Sequence, residues 1–386
     1  MLIVFADDLT GAAEIAAAGF RFHFDAQVFS GEPGELNEEI EQSGNTLLVI
    51  NTDTRLMVEE EADKRIAAFC RKIPGTEVFF KKIDSLLRGN VLREIQVMVE
   101  GSWCEGAILL PQNPSLGRTV ADGIYYVNGI PLHETALTTD PELPDDSSSI
   151  YDLLGPEAVE QVHLMKPGMP LPKGKSILFC EAVTAEDVRH WAGSMHRIPG
   201  IRGYLPAGGS DFFCAFMEDS FEGVIREPFP WGRNDLPPVL FYLSGSSNSV
   251  SRKFFEAKKE ENLHSITLPG NEASRNDFSA DTAYRHLHQW LEKGDPCVLR
   301  VGDPVIYEKT ASTVITGNLA TLGSKLIEEV EIPHLYVEGG ATAAALLKKC
   351  GWSRFRVVKA WNQGAVTLEV LDPETVSARS PLITLK

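Results

Sequence analysis

At 386 residues the chain is longer than one compact core usually supports, which predicts two α/β domains. Its 43% hydrophobic and 23% charged residues are ordinary for a globular protein and exclude a disordered or fibrous one. With 54 acidic against 36 basic residues, a net charge of −18 and no Lys/Arg-rich run, the sequence excludes an electrostatic nucleic-acid footprint, while a few focused cations and backbone amides still suffice for a small anion.

Met1 leads straight into Leu2-Ile3-Val4-Phe5, which is too short and lacks the basic flank of a secretory leader. No apolar run reaches the roughly 18 residues of a membrane span. The six cysteines, Cys70, Cys104, Cys180, Cys214, Cys297 and Cys350, are scattered without a CxxC pair. A cytoplasmic protein with reduced, mostly buried thiols is the expectation.

Residues 2–6 read as an apolar strand that stops at Asp7-Asp8, and Thr10-Gly11-Ala12-Ala13-Glu14 opens a helix running to Ala18. The pattern recurs. A strand from Thr46 to Asn51 ends at Thr52-Asp53-Thr54-Arg55 and precedes a helix from Glu59 to Lys72; a strand from Glu77 to Lys81 ends at Lys82-Ile83-Asp84-Ser85 and precedes a helix to about Val99. Gly106 to Leu110 is a fourth strand, ending at Pro111-Gln112-Asn113-Pro114. Residues 111–150, rich in Pro, Gly, Asp and Ser, read as a long functional loop. Ser176 to Cys180 and Arg202 to Leu205 are further strands, and the proline-rich stretch Glu222 to Pro238 is the linker candidate. Beyond it come strands Val239 to Leu243, Cys297 to Val301, His334 to Glu338 and Phe355 to Lys359, with a helix from about Val250 to Glu260. The fold predicted is α/β in two domains, 1–230 and 231–386, each a mostly parallel sheet flanked by helices. Ligands in such sheets sit beyond the carboxyl ends of the strands, where every polar cluster just named falls.

Two adjacent carboxylates, Asp7 and Asp8, exceed what capping one helix needs, so one of them is available for a substrate hydroxyl or Mg²⁺. Lys82, Asp84, Ser85 and Arg88 put two cations, a carboxylate and a hydroxyl in one turn, a set suited to a carboxylate-bearing polyol; the alternative is an i, i+4 ion pair on a helix surface. In the second half, Ser244-Gly245-Ser246-Ser247-Asn248 and Gly339-Gly340-Ala341-Thr342 each follow a strand and precede a helix, so backbone N–H groups can approach phosphates there. Neither is a Walker motif, and the serine turn lacks the Gly-x-Ser-x-Gly elbow of a hydrolase. The nine histidines show no metal-ligand spacing, and no residue set is assigned to a metal.

Phe5-Ala6-Asp7-Asp8-Leu9-Thr10-Gly11-Ala12, Lys81-Lys82-Ile83-Asp84-Ser85-Leu86-Leu87-Arg88-Gly89-Asn90, and Pro111-Gln112-Asn113-Pro114 through Gly117-Arg118, Gly123, Pro131, Thr135 and Asp140-Pro141 resemble the four-carbon acid sugar kinase family. The resemblance spans roughly residues 1–141 and implies an N-terminal sugar-acid-binding domain, a C-terminal nucleotide-binding domain, and ATP with Mg²⁺ as cofactors. By that resemblance Asp8, Arg55, Lys82, Asp84, Ser85 and Arg88, with Asp7 beside them, line the acid-sugar pocket. Either Asp8 or Asp84 is the catalytic base, and one of Arg55, Lys82 and Arg88 neutralises the acid. Ser244, Gly245, Ser246, Gly339, Gly340, Ala341, Thr342 and Gly364 hold ATP. The partners expected are a small acidic sugar and, in a homodimer, a second copy of the chain, with neither nucleic acid nor membrane.

The sequence departs from the family in two places. Leu86 stands where the family has Thr. Lys359-Ala360-Trp361-Asn362-Gln363-Gly364 replaces a motif of the form Lys-Ser-Gly-Asn-Phe-Gly, so Ala360-Trp361 takes the place of a small pair. These departures motivate a second reading, a non-catalytic sugar-acid sensor, and a third is a phosphatase or hydrolase acting on a phosphorylated sugar acid.

Overall fold

The computed structural model describes residues 1–36, 45–73, 78–101, 104–139, 143, 146–172, 176–195, 203–221, 231–246, 251, 253, 255, 263–304, 309–372 and 380–386. Asp140-Pro141, the Ser247-Asn248 end of the serine turn and most of the helix expected from Val250 to Glu260 lie outside them. The chain forms two units: Met1–Ala26 with Glu32–Glu227, and Gln27–Gly31 with Pro228–Lys386.

The first unit is built on a parallel sheet in the order Thr46–Asn51, Leu2–Ala6, Val78–Lys82, Tyr204–Gly208, Gly106–Leu110, Ser176–Cys180 and Val162–Met165. Its strands are mostly apolar because helices cover the sheet: Thr46–Asn51 and Gly106–Leu110 are buried at every position. The helices are Leu9–Arg21, Glu59–Lys72, Val91–Glu100, Ala185–Met195 and Ser210–Ser220. Lys81 and Lys82 alternate across the Val78–Lys82 strand. Lys81 forms a fully buried ion pair at 2.5 Å with Glu94 on the helix Val91–Glu100, while Lys82 turns to the opposite face.

Residues 111–150 are not the structureless loop that their composition suggests. They contain an antiparallel sheet of Arg118–Ala121, Ile124–Val127 and Ile130–Pro131. Its two turns are Asp122-Gly123 and Asn128-Gly129, in which all four residues have φ between 51 and 79°. Positive φ at both central residues is the type I′ geometry that matches the twist of a hairpin, and Asp-Gly and Asn-Gly are the dipeptides that adopt it most readily.

The second unit has parallel strands in the order His264–Leu268, Cys297–Val301, Phe241–Ser244, His334–Glu338 and Leu382–Leu385. Antiparallel strands Val366–Val370 and Arg354–Ala360 continue the sheet. Gln27–Phe29, from the strand Asp25–Phe29, then pairs antiparallel with Arg354–Arg356. Helices Asp281–Glu292, Lys309–Glu329 and Gly340–Lys349 belong to this unit. The six cysteines form no disulfide with one another; Cys180, Cys214 and Cys297 are buried and the others half-buried. Among the described residues no helix is long and apolar enough to cross a membrane.

Candidate active site

In the first unit the carboxyl ends of three adjacent strands deliver the charged residues singled out from the sequence. Leu2–Ala6 leads into Asp7 and Asp8. Thr46–Asn51 leads into Arg55, and the backbone N–H groups of Thr54 and Arg55 donate to the Asp7 carbonyl at 3.0 and 3.2 Å, which ties the two strand ends together. Val78–Lys82 leads into Asp84, Ser85 and Arg88.

Asp8 caps the helix Leu9–Arg21 by accepting from the Gly11 N–H at 2.7 Å, so capping and a place in the site are held by the same residue. Arg55 grips Asp7 with both arms of its fork, Nε to Oδ2 at 2.9 Å and Nη2 to Oδ1 at 3.0 Å, and its Nη1 donates to Asp8 Oδ2 at 2.6 Å. It also lies 3.8 Å from Asp84 Oδ1. Arg88 grips Asp84 in the same bidentate way, at 2.7 and 3.0 Å, and the Leu86 and Arg88 backbone N–H groups add bonds to Asp84 at 3.3 Å each.

The Asp84–Arg88 pair is therefore not an exposed ion pair on a helix. Asp84 is only 6% exposed, residues 83–90 form a turn with Leu87 at φ 63° and Gly89 at φ 83°, and the helix starts at Val91. A side chain at position 89 would come within 3.0 Å of the Arg55 carbonyl oxygen, so glycine there lets the two loops touch. Lys82 Nζ donates to the Ile83 carbonyl at 2.8 Å and lies 3.3 Å from Glu14 Oε2. The Arg118 guanidinium donates to the Ser85 hydroxyl, and the Tyr125 hydroxyl donates to the Ser85 carbonyl at 2.6 Å.

Four carboxylates, of Asp7, Asp8, Glu14 and Asp84, thus meet four cations, of Arg55, Lys82, Arg88 and Arg118. The carboxylates are not equivalent. Burial raises the Asp8 carboxyl above its ordinary 3.8; Arg55 opposes this, Asp7 adds to it, and the balance stays upward. Burial would also raise Asp84, but the hydrogen bonds and charge of Arg88, with Arg55 and Lys82 behind them, pull it far below the ordinary carboxylate range. Glu14 likewise ends below its ordinary value, because Lys82 and a bond from Ser210 outweigh its burial. Arg55, despite burial, is held charged by Asp7, Asp8 and Asp84.

All seven residues expected in the acid-sugar pocket (Asp7, Asp8, Arg55, Lys82, Asp84, Ser85 and Arg88) come together. Glu14, Arg118 and Tyr125 join them without having been singled out. Glu14 had a signal, since it lies i+3 from Gly11 and so shares its helix face. Arg118 stood in the quoted motif without a role. Tyr125 belongs to the hairpin sheet that the sequence reading passed over.

In the second unit the serine and glycine turns meet. The Gly245 N–H donates to the Glu338 carbonyl at 3.1 Å, and Ser244 Oγ donates to Glu338 Oε2 at 2.8 Å, with Ser251 on the other carboxylate oxygen. A Cβ on Gly245 would fall 2.0 Å from Thr342 Oγ1, so this backbone passes directly against the first turn of the helix Gly340–Lys349. Gly339 adopts φ 103° at the same place. The result is a small-residue cradle at a helix N-terminus, the setting in which backbone N–H groups take a phosphate. Gly364, at φ 74°, precedes Val366–Val370 and stands at the same end of the sheet, with the strand Leu382–Leu385 intervening.

Trp361 is fixed by a chain of neutral hydrogen bonds. Its indole N–H donates to Thr367 Oγ1 at 2.8 Å, Thr367 and Thr384 hydroxyls share a bond at 2.7 Å, and Thr384 Oγ1 lies 2.8 Å from His334 Nε2. His334 Nδ1 lies 2.8 Å from the Pro237 carbonyl, which assigns the proton to Nδ1 and makes Nε2 the acceptor. Burial lowers the His334 pKa against the opposing pull of Pro237 and favours that neutral form. The Lys359 ammonium sits 4.4 Å over the indole ring and donates to Asn234 at 3.0 Å. Among the described residues no cluster of three or more His, Cys, Asp or Glu could hold a metal ion.

The profile of a family described as a sugar-binding N-terminal domain matches residues 2–197, more than half of the chain. The chain belongs to this family. The likeness to four-carbon acid sugar kinases seen in the motifs is thereby borne out. Its relatives include a D-threonate kinase of Salmonella typhimurium, 33% identical over 92% of this chain and 88% of that protein. A D-erythronate kinase of Heliobacterium modesticaldum is 28% identical over 89% and 84%, and a 3-oxo-tetronate kinase of Haemophilus influenzae 22% over 97% and 94%. Two crystal structures, each 18% identical, share the family fold. A Haemophilus influenzae protein has a TM-score of 0.69 over 100% of this chain and 96% of that one; a Salmonella typhimurium protein described as a putative tRNA synthase reaches 0.74 over 100% and 95%.

Proposed function

We propose that this protein is an ATP-dependent kinase that phosphorylates a hydroxyl of a four-carbon sugar acid, with the first unit holding the acid and the second the nucleotide. The observation that carries this reading is the strand-end cluster of the first unit. Motif residues far apart in sequence meet in one network of four carboxylates and four cations, in a chain whose relatives over most of its length are named as kinases of such acids.

Between the two aspartates that sequence leaves open as the base, electrostatics favours Asp8. A base must be ionised and still hold a proton well, and Asp84 is bound too firmly by two arginines and two amides to take one. Asp8, with a raised pKa, is the stronger base. In the proposed step Asp8 receives the proton of the acceptor hydroxyl as the hydroxyl oxygen bonds to the γ-phosphorus, with ADP as the leaving group. Asp7, Arg55, Asp84 and Arg88 hold the frame in which Asp8 and Lys82 meet the substrate.

The residues of the second unit fit a triphosphate: the Ser244–Ser246 turn and Gly339–Thr342 supply small side chains and amides against a helix start, and Gly364 completes the set at the same sheet end. Mg²⁺ arriving with the triphosphate would supply charge neutralisation, and such ions commonly ride on phosphates with one or two carboxylates rather than in an all-protein cage. Cysteines outside any disulfide accord with a cytoplasmic setting. The test is ADP release over a panel of tetronates and related aldonates. A well-folded protein silent with every acid overturns the reading.

A further inference from the structure

We propose that Arg118, rather than Arg55 or Arg88, is the residue that grips the substrate's carboxylate and so makes the enzyme select acids over neutral sugars. This inference rests on the sugar-acid kinase reading above and assigns a role within it.

Three of the four cations in the cluster are already committed. Arg55 spends its fork on Asp7 and its remaining nitrogen on Asp8, and Arg88 spends its fork on Asp84. Turning either toward a ligand would strip a buried carboxylate of its partner, which is costly. Lys82 is shared between Glu14 and a backbone carbonyl. Arg118 differs from all three. Its hydrogen bond goes to the neutral Ser85 hydroxyl, and among the described residues no carboxylate lies within ion-pairing distance of it. A planar guanidinium without a carboxylate of its own, beside carboxylates that can accept from hydroxyls, is the arrangement a hydroxy acid requires.

The position is built rather than incidental. The Arg118 N–H donates to the Asn113 carbonyl at 3.1 Å, and Asn113 Oδ1 accepts from the Asp211 N–H at 3.0 Å, which anchors the start of the Arg118–Ala121 strand to the helix Ser210–Ser220. The Tyr125 hydroxyl, from the neighbouring strand, fixes the backbone of Ser85, the partner of Arg118. Arg118 is close enough to the rest of the cluster that its charge is felt at both Glu14 and Tyr125.

The experiment compares the full-length protein with R118Q and R118K. Each is measured with four-carbon sugar acids (D-threonate, D-erythronate) and with the matching neutral tetritols, both by ADP release and by calorimetric binding of the acid without nucleotide. R118Q is expected to cut the acid-over-tetritol preference in kcat/KM about tenfold to a hundredfold, chiefly through KM, and to weaken acid binding by a similar factor. R118K, which keeps the charge but loses the fork, falls between them. Equal losses for acid and tetritol, or a drop in kcat alone, would show that Arg118 only positions Ser85 and would overturn the assignment while leaving the kinase reading intact. A wild-type protein that neither binds nor turns over any sugar acid would overturn both. A melting temperature unchanged from wild type in R118K guards against misfolding as the cause.

Discussion

The two candidate ligand sites stand at the carboxyl ends of similar strands but are made by opposite means. In the first unit the strand ends carry charge, and each carboxylate in the cluster has a cationic partner: Asp7 and Asp8 on Arg55, Asp84 on Arg88, Glu14 on Lys82. In the second unit the Glu338 carboxylate is held by serine hydroxyls instead of a cation, and the rest of the work falls to glycine, serine and threonine, with a neutral chain from Trp361 to His334 behind them. Side-chain charge suits a small ligand whose hydroxyls and carboxylate must be told apart, because each group can be met by a different residue. Backbone amides suit phosphate, which presents the same oxygens in every nucleotide.

Three substitutions probe that contrast, beginning with the largest effect. Asp8→Asn should lower kcat by about a hundredfold to ten-thousandfold, the range for losing a general base. Its stability should move the other way. A carboxyl whose folded pKa lies above its unfolded value contributes stability below the unfolded pKa and loses it as pH rises through the folded one, so ionised Asp8 burdens the fold at neutral pH. Asn keeps the helix cap, and the variant should melt no lower than wild type at pH 7. The wild-type pH–rate profile should show an acid limb above 3.8, and an acid limb at or below that value would remove Asp8 as the base.

Asp84→Asn lies in the same cluster and should behave in the reverse sense for stability. Its folded pKa is depressed, so its contribution is present above 3.8 and lost as pH falls through the folded value. At neutral pH the variant should lose about 1.5–3 kcal/mol, the worth of hydrogen bonds to a charged group, with kcat/KM falling about tenfold to a thousandfold. Denaturant unfolding at pH 7 and at pH 3 should show a smaller difference from wild type at the lower pH. A gap that is constant with pH would mean that the Asp84 charge is not what the arginines hold.

Gly245→Ala tests the second unit and carries the smallest effect. The new methyl would lie 2.0 Å from Thr342 Oγ1, so the cradle must open and KM for ATP should rise by roughly tenfold, with KM for the acid unchanged. Adding Thr342→Ala removes that oxygen and should restore part of the loss. A double variant no better than the single would place the defect elsewhere.

The parts of the molecule that the sequence disclosed are those where a single physical demand acts on consecutive residues. Leu2–Ala6, residues 47–50 and Gly106–Leu110 are buried at every position but Leu2 and are apolar throughout, which any reading of hydrophobicity detects. The charged turns after them were visible because polar residues at such ends need a reason to be there. Asp25–Phe29 was missed: its sequence, Asp-Ala-Gln-Val-Phe, is short and mixed, and the partner that makes it a strand, Arg354–Arg356, is remote in the chain. The hairpin sheet was missed although Asp122-Gly123 and Asn128-Gly129 announce it, since its strands are too short to show alternation. The proposed ranking of Asp8 over Asp84 was beyond the sequence, because it depends on which arginine each carboxylate meets in space.

The strand Gln27–Phe29 also bears on the order in which the protein can be assembled. It pairs with Arg354–Arg356, a segment very far from it along the chain. The first unit has to form around a segment, Gln27–Gly31, whose place belongs to the second. The edge of the second sheet waits for a contact of very high sequence separation, the kind that forms late and slowly. Until then the Arg354–Arg356 part of the strand, beyond the stretch that Trp231–Gly232 pairs, presents unpaired N–H and C=O groups, a template for pairing with another chain. A fragment beginning at Pro228 would carry that open edge permanently, so the chain is divisible into two units in space but cannot be cut into two at a single peptide bond.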